Sequence, residues 1–102
     1  MKFKTIKAEF EVKARNYHYR FVIERRKSGA FAYGDRSSHL LRVLDWDTRE
    51  EKGWHLYDTR YDRLSTKKEK WVENWKKFIR SHWQHHPEVR LMSYEEGEEE
   101  IN

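Results

Sequence analysis

The sequence predicts an α+β domain in which an antiparallel β-meander of four strands packs against one C-terminal amphipathic helix. Three observations support this fold. Apolar residues alternate with charged ones in two adjacent N-terminal segments, two further strand-like segments follow, and a segment near the C-terminus repeats its apolar residues every three or four positions. A one-sided sheet and a one-sided helix cover each other in a two-layer domain. The predicted element order is therefore ββββα.

The first two strands are predicted to form a hairpin whose register can be read from the sequence. Apolar residues fill every second position from Ile6 to Ala14 and the odd positions from Tyr17 to Ile23, as a two-residue turn at Arg15-Asn16 requires. Residues that face each other across antiparallel strands share one side of the sheet. The predicted inner pairs are Ala14 with Tyr17, Val12 with Tyr19, Phe10 with Phe21 and Ala8 with Ile23; the outer pairs are Glu11 with Arg20 and Lys7 with Glu24.

A third strand is predicted from His39 to Asp47 and a fourth from Gly53 to Thr59, after a loop over residues 28–38. An alternative makes Ser38 a helix N-cap and runs a helix through Leu40 to Leu44, because a short apolar run suits either element. That alternative changes the order to ββαβα. In the four-strand interpretation the predicted pairs are Trp46 with Trp54, Leu44 with Leu56, Arg42 with Asp58 and Asp45 with His55, and the first two pairs form an apolar face.

The clearest helix is predicted over residues 66–84. Thr66 and Glu69 have the spacing of a capping box at its start. Pro87 ends it, because the residue before a proline avoids helical backbone angles. A short extended piece is expected over residues 88–94. The apolar stripe of the helix comprises Trp71, Val72, Trp75, Phe78, Ile79, His82 and Trp83.

Length and composition predict one domain over residues 1–94, followed by an acidic, disordered tail over residues 95–102. The chain has 102 residues, the size of a single domain, and residues 95–102 contain five glutamates and no basic residue. The absence of cysteine excludes disulfides and zinc-thiolate sites.

Without a signal peptide or a membrane-spanning apolar run, we expect a cytoplasmic protein. Its high charge and few Asn, Gln and Met residues are typical of thermophile proteins.

Charge is the main functional signal. Residues 1–94 carry 22 basic and 13 acidic side chains, a net charge of +9. This favours a non-enzymatic domain that binds nucleic acid without sequence specificity. The alternative is a protein-interaction module, an accessory or inhibitory factor that uses a sheet edge, the loop around Phe31–Tyr33 or the tail. The predicted nucleic-acid-binding residues are Lys70, Lys76, Lys77 and Arg80 on the helix, and Arg25, Arg26 and Lys27 after the second strand.

Two clusters of titratable residues carry weaker signals. Asp45, Asp47 and His55 would meet in the predicted strand register and suit a metal-dependent nuclease, the second alternative function. His82 and His86 have the i, i+4 spacing of two metal ligands, but histidines near a helix C-terminus also interact favourably with the helix dipole. The sequence therefore assigns no catalytic residue, cofactor or metal ligand.

Overall fold

The computed structural model describes residues 2–27, 37–59 and 65–100. They form one five-stranded antiparallel sheet, in the order β4-β3-β2-β1-β5, and one helix. The α+β class is confirmed. The prediction of four strands and a C-terminal helix is wrong, because the helix lies between the fourth and fifth strands. The elements are β1 (Lys2–Ala14), β2 (Tyr17–Lys27), β3 (Ser37–Asp45), β4 (Glu51–Thr59), α1 (Lys68–His82) and β5 (Glu88–Glu100).

The β1–β2 hairpin has the predicted register at every predicted pair, on both faces. Phe10 and Phe21 lie opposite each other and are fully buried. A slip of one residue would move this row of side chains into water, which explains why the alternation specifies the pairing so strongly. The hairpin therefore supplies the central strands of the sheet and much of its inner face.

The fifth strand replaces most of the predicted disordered tail. Residues 95–100 pair with β1, from Lys7 opposite Glu95 to Lys2 opposite Glu100. The Lys4 ammonium lies 2.8 Å from a carboxylate oxygen of Glu96. A run of glutamates is typical of a solvated tail because it contains no apolar side chains to bury. Here the edge of β1 provides a partner strand, and its lysines lie opposite the glutamates. The acidic segment is thus part of the sheet.

The β3–β4 pairing differs from the predicted one. The structure has a strand at Ser37–Asp45, so the alternative helix is absent there, and Leu40 rather than Leu44 lies opposite Leu56. The Asp45 carboxylate accepts hydrogen bonds from the backbone N–H groups of Asp47 and Thr48, at 3.0 and 2.9 Å. This local turn ends β3 two residues early and shifts the register of the pair.

The predicted apolar face of β3 and β4 is also wrong. Leu41 and Val43 belong to the core, while Trp54 and Leu56 are 61% and 53% exposed on the face away from α1. Trp46 lies outside the core as well, with its ring stacked on His18 at 4.5 Å between centroids. Because β3 is apolar on both sides, alternation alone does not identify the inner face.

Helix α1 packs its apolar stripe on the inner face of the sheet. Trp71, Val72, Trp75 and Ile79 are buried there. The predicted capping box is wrong: the N-cap is Lys67, which makes no side-chain cap, and the Thr66 carbonyl accepts a hydrogen bond from Lys4 Nζ at 2.9 Å. No helix in the described part of the chain is long and apolar enough to cross a membrane.

Candidate nucleic-acid interface

A surface groove of about 620 Å³ lies at the C-terminal end of α1. The last turns of the helix and the segment that follows it form its walls. Basic, imidazole and aromatic side chains therefore share one shallow groove that is open to solvent. The groove is lined by Lys77, Arg80, Ser81, Trp83, Gln84, His85 and His86.

The backbone after α1 shapes this groove. His85 and His86 have φ angles of 68° and 46°, in the left-handed region that few residues other than glycine adopt. These two residues turn the chain from the helix into β5, with the buried Pro87 directly after them. Both imidazoles consequently lie in an exposed turn beside the end of the helix.

Contacts with the sheet hold the groove in place. The half-buried Trp83 ring packs edge-on against Phe21, with 4.8 Å between ring centroids. The Tyr17 hydroxyl donates a hydrogen bond to the Gln84 carbonyl at 2.6 Å, which brings the β1–β2 turn close to the groove. Burial, with a smaller effect of Tyr19, raises the pKa of Tyr17, so this donor keeps its proton at neutral pH.

The exposed side of α1 differs electrostatically from the rest of the described surface. Among the residues that the structure describes, α1 makes one ion pair, which joins Arg80 to Glu73 at 3.9 Å. No described carboxylate oxygen lies within 4.0 Å of Lys70, Lys76 or Lys77. Many other basic side chains are neutralised by glutamates. These ion pairs include Lys2–Glu98, Lys4–Glu96, Lys7–Glu24, Arg20–Glu9, Arg42–Glu51 and Arg90–Glu11.

The second predicted basic cluster is not next to the first. Arg25 is 5% exposed; its guanidinium lies 4.2 Å from the centre of the Phe3 ring and donates a hydrogen bond to the Lys4 carbonyl. Arg26 and Lys27 are exposed at the end of β2 that lies away from Tyr17. An eleven-residue strand is about 33 Å long, so these two residues lie far from the groove.

The candidate nuclease residues are not brought together. Asp45 lies opposite Tyr19, whereas His55 lies opposite Leu41 and turns its ring toward Trp83. The Thr48 and Asp47 N–H groups lower the pKa of Asp45, which acts as a turn-forming acceptor. Within residues 2–27, 37–59 and 65–100, no three His, Asp or Glu side chains are grouped to hold a metal ion.

The histidine pair is also separated. Helix α1 ends at His82, so His86 is not one helical turn further along the same face. His82 Nδ1 donates to the Phe78 carbonyl at 2.9 Å, and its ring stacks on Phe78.

No protein-family model, curated protein or solved structure matches the chain.

Trp83, His85 and His86 are groove residues that the sequence prediction left out. The sequence places Trp83 in the apolar stripe of the helix, and it places His85 and His86 directly before Pro87, which ends the helix. The one sequence signal that links these three residues to the basic face of the helix is that they follow the helix lysines closely in the chain. The site thus consists of the cationic surface, defined as Lys70, Lys76, Lys77 and Arg80, and the groove into which it leads.

Proposed function

We propose that the cationic surface and the groove bind single-stranded nucleic acid through its phosphates, without sequence specificity. The observation that carries this proposal is that Lys70, Lys76 and Lys77 have no carboxylate partner among the described residues, on a surface where many other cations are paired. An unpaired ammonium can approach a phosphate without giving up an ion pair. Neutralised phosphates release counterions, which favours binding at low salt.

The arrangement of the cations suits an extended strand. Lys70 and Lys77 are seven residues apart, about 10 Å along the helix axis, and lie on the same side of α1. Lys77 and Arg80 continue this side into the groove. The groove adds Trp83 and two imidazoles, and rings of this kind stack on unpaired bases regardless of sequence. Both features favour a single strand over a duplex.

The negative end of the helix dipole opposes anion binding at the groove. Helix C-termini carry partial negative charge on their free carbonyl groups. Phosphate binding at this end therefore depends on Lys77 and Arg80, whose full charges exceed the partial charge of the dipole. Removal of these cations should consequently weaken the affinity for nucleic acid more than removal of the same charge elsewhere on the protein.

Changing Lys76, Lys77 and Arg80 together to alanine is expected to weaken binding of a labelled oligothymidylate at low salt by at least about 10-fold. The dependence of log K on log salt should become shallower by about 2, because three phosphate contacts on a single strand are lost. Fluorescence anisotropy at several salt concentrations measures both quantities.

The matched control changes Lys7, Arg42 and Arg90 to alanine. It removes the same charge from the outer face of the sheet, where these residues pair with Glu24, Glu51 and Glu11. We expect its affinity to stay within about 2-fold of the unmodified protein. Equal losses in the two variants, or no binding at low salt by the unmodified protein, would contradict the proposal.

A protein-interaction module is the second candidate function. The Phe31–Tyr33 loop lies outside the described residues, and residues 95–100 belong to β5. The sheet edge is the remaining element of that hypothesis. It is favoured by the exposed Trp54 and Leu56 on β4.

A further inference from the structure

Strand β4 combines an open edge with exposed apolar side chains. It ends the sheet order, so in the described part of the chain its outer edge has no partner strand. Trp54 and Leu56 are 61% and 53% exposed and project from the same face, away from α1. Open edges pair readily with other strands, and neighbouring exposed apolar groups mark contact surfaces.

We propose that this edge pairs antiparallel with β4 of a second copy of the chain, across a two-fold axis at His55. A two-fold interface uses the same patch on both subunits, so the patch must complement itself. In this register Trp54 lies opposite the partner's Leu56, and Leu56 lies opposite the partner's Trp54. The two exposed side chains of each copy are thereby covered reciprocally.

The other positions of this register are also complementary. On the α1 side, Gly53 lies opposite the partner's Tyr57. A Cβ built on Gly53 meets nothing within 4 Å, so there is space beside it for a ring. Aromatic side chains placed across from a strand glycine stabilise sheets. Lys52 lies opposite position 58 of the other copy, an aspartate in the sequence, which adds charge complementarity.

Neighbouring two-fold registers lack this complementarity. With the axis at Trp54, the charged Lys52 would lie opposite the partner's Leu56. With the axis at Leu56, Trp54 would lie opposite an aspartate. The reciprocal match at His55 identifies a second copy as the occupant rather than a strand of another protein.

This pairing joins two five-stranded sheets into one continuous sheet, with the two-fold axis perpendicular to it. Both copies of α1 then lie on the same side of the sheet. The two cationic surfaces consequently face the same way. The dimer does not depend on the proposed nucleic-acid binding, and its test measures mass rather than affinity for a ligand.

Light scattering during gel filtration of the full chain should give twice the 12.8 kDa mass of one chain. The double variant Trp54→Lys with Leu56→Lys should elute at 12.8 kDa. Because both side chains are exposed, it should keep the circular dichroism spectrum of the unmodified protein. The matched control Met92→Lys, which alters a 40% exposed residue on β5, should remain dimeric.

A cysteine cross-link tests the register itself. The chain contains no cysteine, and directly opposed strand residues have Cα atoms about 4.5–5.5 Å apart, a separation that a disulfide spans. His55→Cys should therefore form a covalent dimer on mild oxidation, whereas Met92→Cys should stay a single chain on a non-reducing gel.

Several results would overturn the proposal. One is a mass of 12.8 kDa for the unmodified chain at every concentration. The β4 edge would then be open to a strand of another protein instead of a second copy. The others are a dimer that survives the Trp54→Lys, Leu56→Lys double change, and cross-linking at residue 55 no more efficient than at residue 92.

Discussion

Replacing Trp71 with alanine is expected to lower the free energy of unfolding by about 3–5 kcal/mol. Trp71 is the largest fully buried side chain in the described part of the molecule, and it joins the helix to both halves of the sheet. Its Nε1 donates a hydrogen bond to His39 Nε2 on β3 at 3.2 Å, and its ring packs edge-on against Tyr94 of β5. Urea denaturation followed by far-UV circular dichroism measures the loss.

Trp71→Phe is the matched variant. It keeps most of the buried ring but removes the N–H donor, which leaves the His39 acceptor without that hydrogen bond. We expect a smaller loss of about 1–3 kcal/mol. If Trp71→Ala destabilised the protein by less than about 1 kcal/mol, the central place of Trp71 in the packing would be contradicted.

Lowering the pH from 7 to 4.5 is expected to reduce the free energy of unfolding by about 2–3 kcal/mol through His39 alone. Burial, and to a lesser extent the charge of Arg25, lower the pKa of His39 from the ordinary 6.5 to about 4. The unfolded chain therefore binds a proton at this residue before the folded chain does. The contribution is fully present above pH 6.5 and is lost as the pH falls toward 4.

The variant His39→Gln isolates this contribution. Glutamine retains an acceptor for the Trp71 N–H and does not titrate, so its unfolding free energy should depend less on pH between 7 and 4.5. His82→Gln, at an exposed position, serves as the control and should keep the pH dependence of the unmodified protein. Equal pH dependence in His39→Gln and the unmodified protein would rule out His39 as the source.

The β1–β2 hairpin could be predicted residue by residue because two independent patterns agree on it. Its inner face needs Phe10 and Phe21 together, and its outer face sets Lys7 against Glu24. The β3–β4 pair lacks such agreement. Strand β3 carries apolar side chains on both of its faces, namely Leu40, Leu41, Val43 and Leu44. Its register therefore depends on the turn that follows it, and periodicity does not reveal the hydrogen bonds that Asp45 accepts in that turn.

The extended piece predicted over residues 88–94 is the first half of β5, and its second half, residues 95–100, was missed for a different reason. Glu95 to Glu100 show no apolar alternation, and their strand structure depends on the β1 edge and on partners such as Lys4. Charge composition carries no information about such a distant partner. A strand that forms mainly by pairing with another strand is not visible in its own sequence.

The candidate site was predictable only on the helix. Periodicity predicts which side of α1 is exposed, and therefore the positions of Lys70, Lys77 and Arg80. It does not predict that Arg25 is buried beside Phe3, because arginines are usually exposed. Nor does it predict the left-handed turn at His85 and His86, which completes the groove.

Titration of the ¹⁵N-labelled protein with a short oligothymidylate, followed by amide NMR shifts, tests the proposed interface most directly. Shifts should concentrate at residues 76–86, which carry the end of the cationic surface and the groove. They should be small on the outer face around Glu9, Glu11 and Arg20, where the charges are paired within the sheet. Shifts centred on that outer face, or none at low salt, would contradict the account.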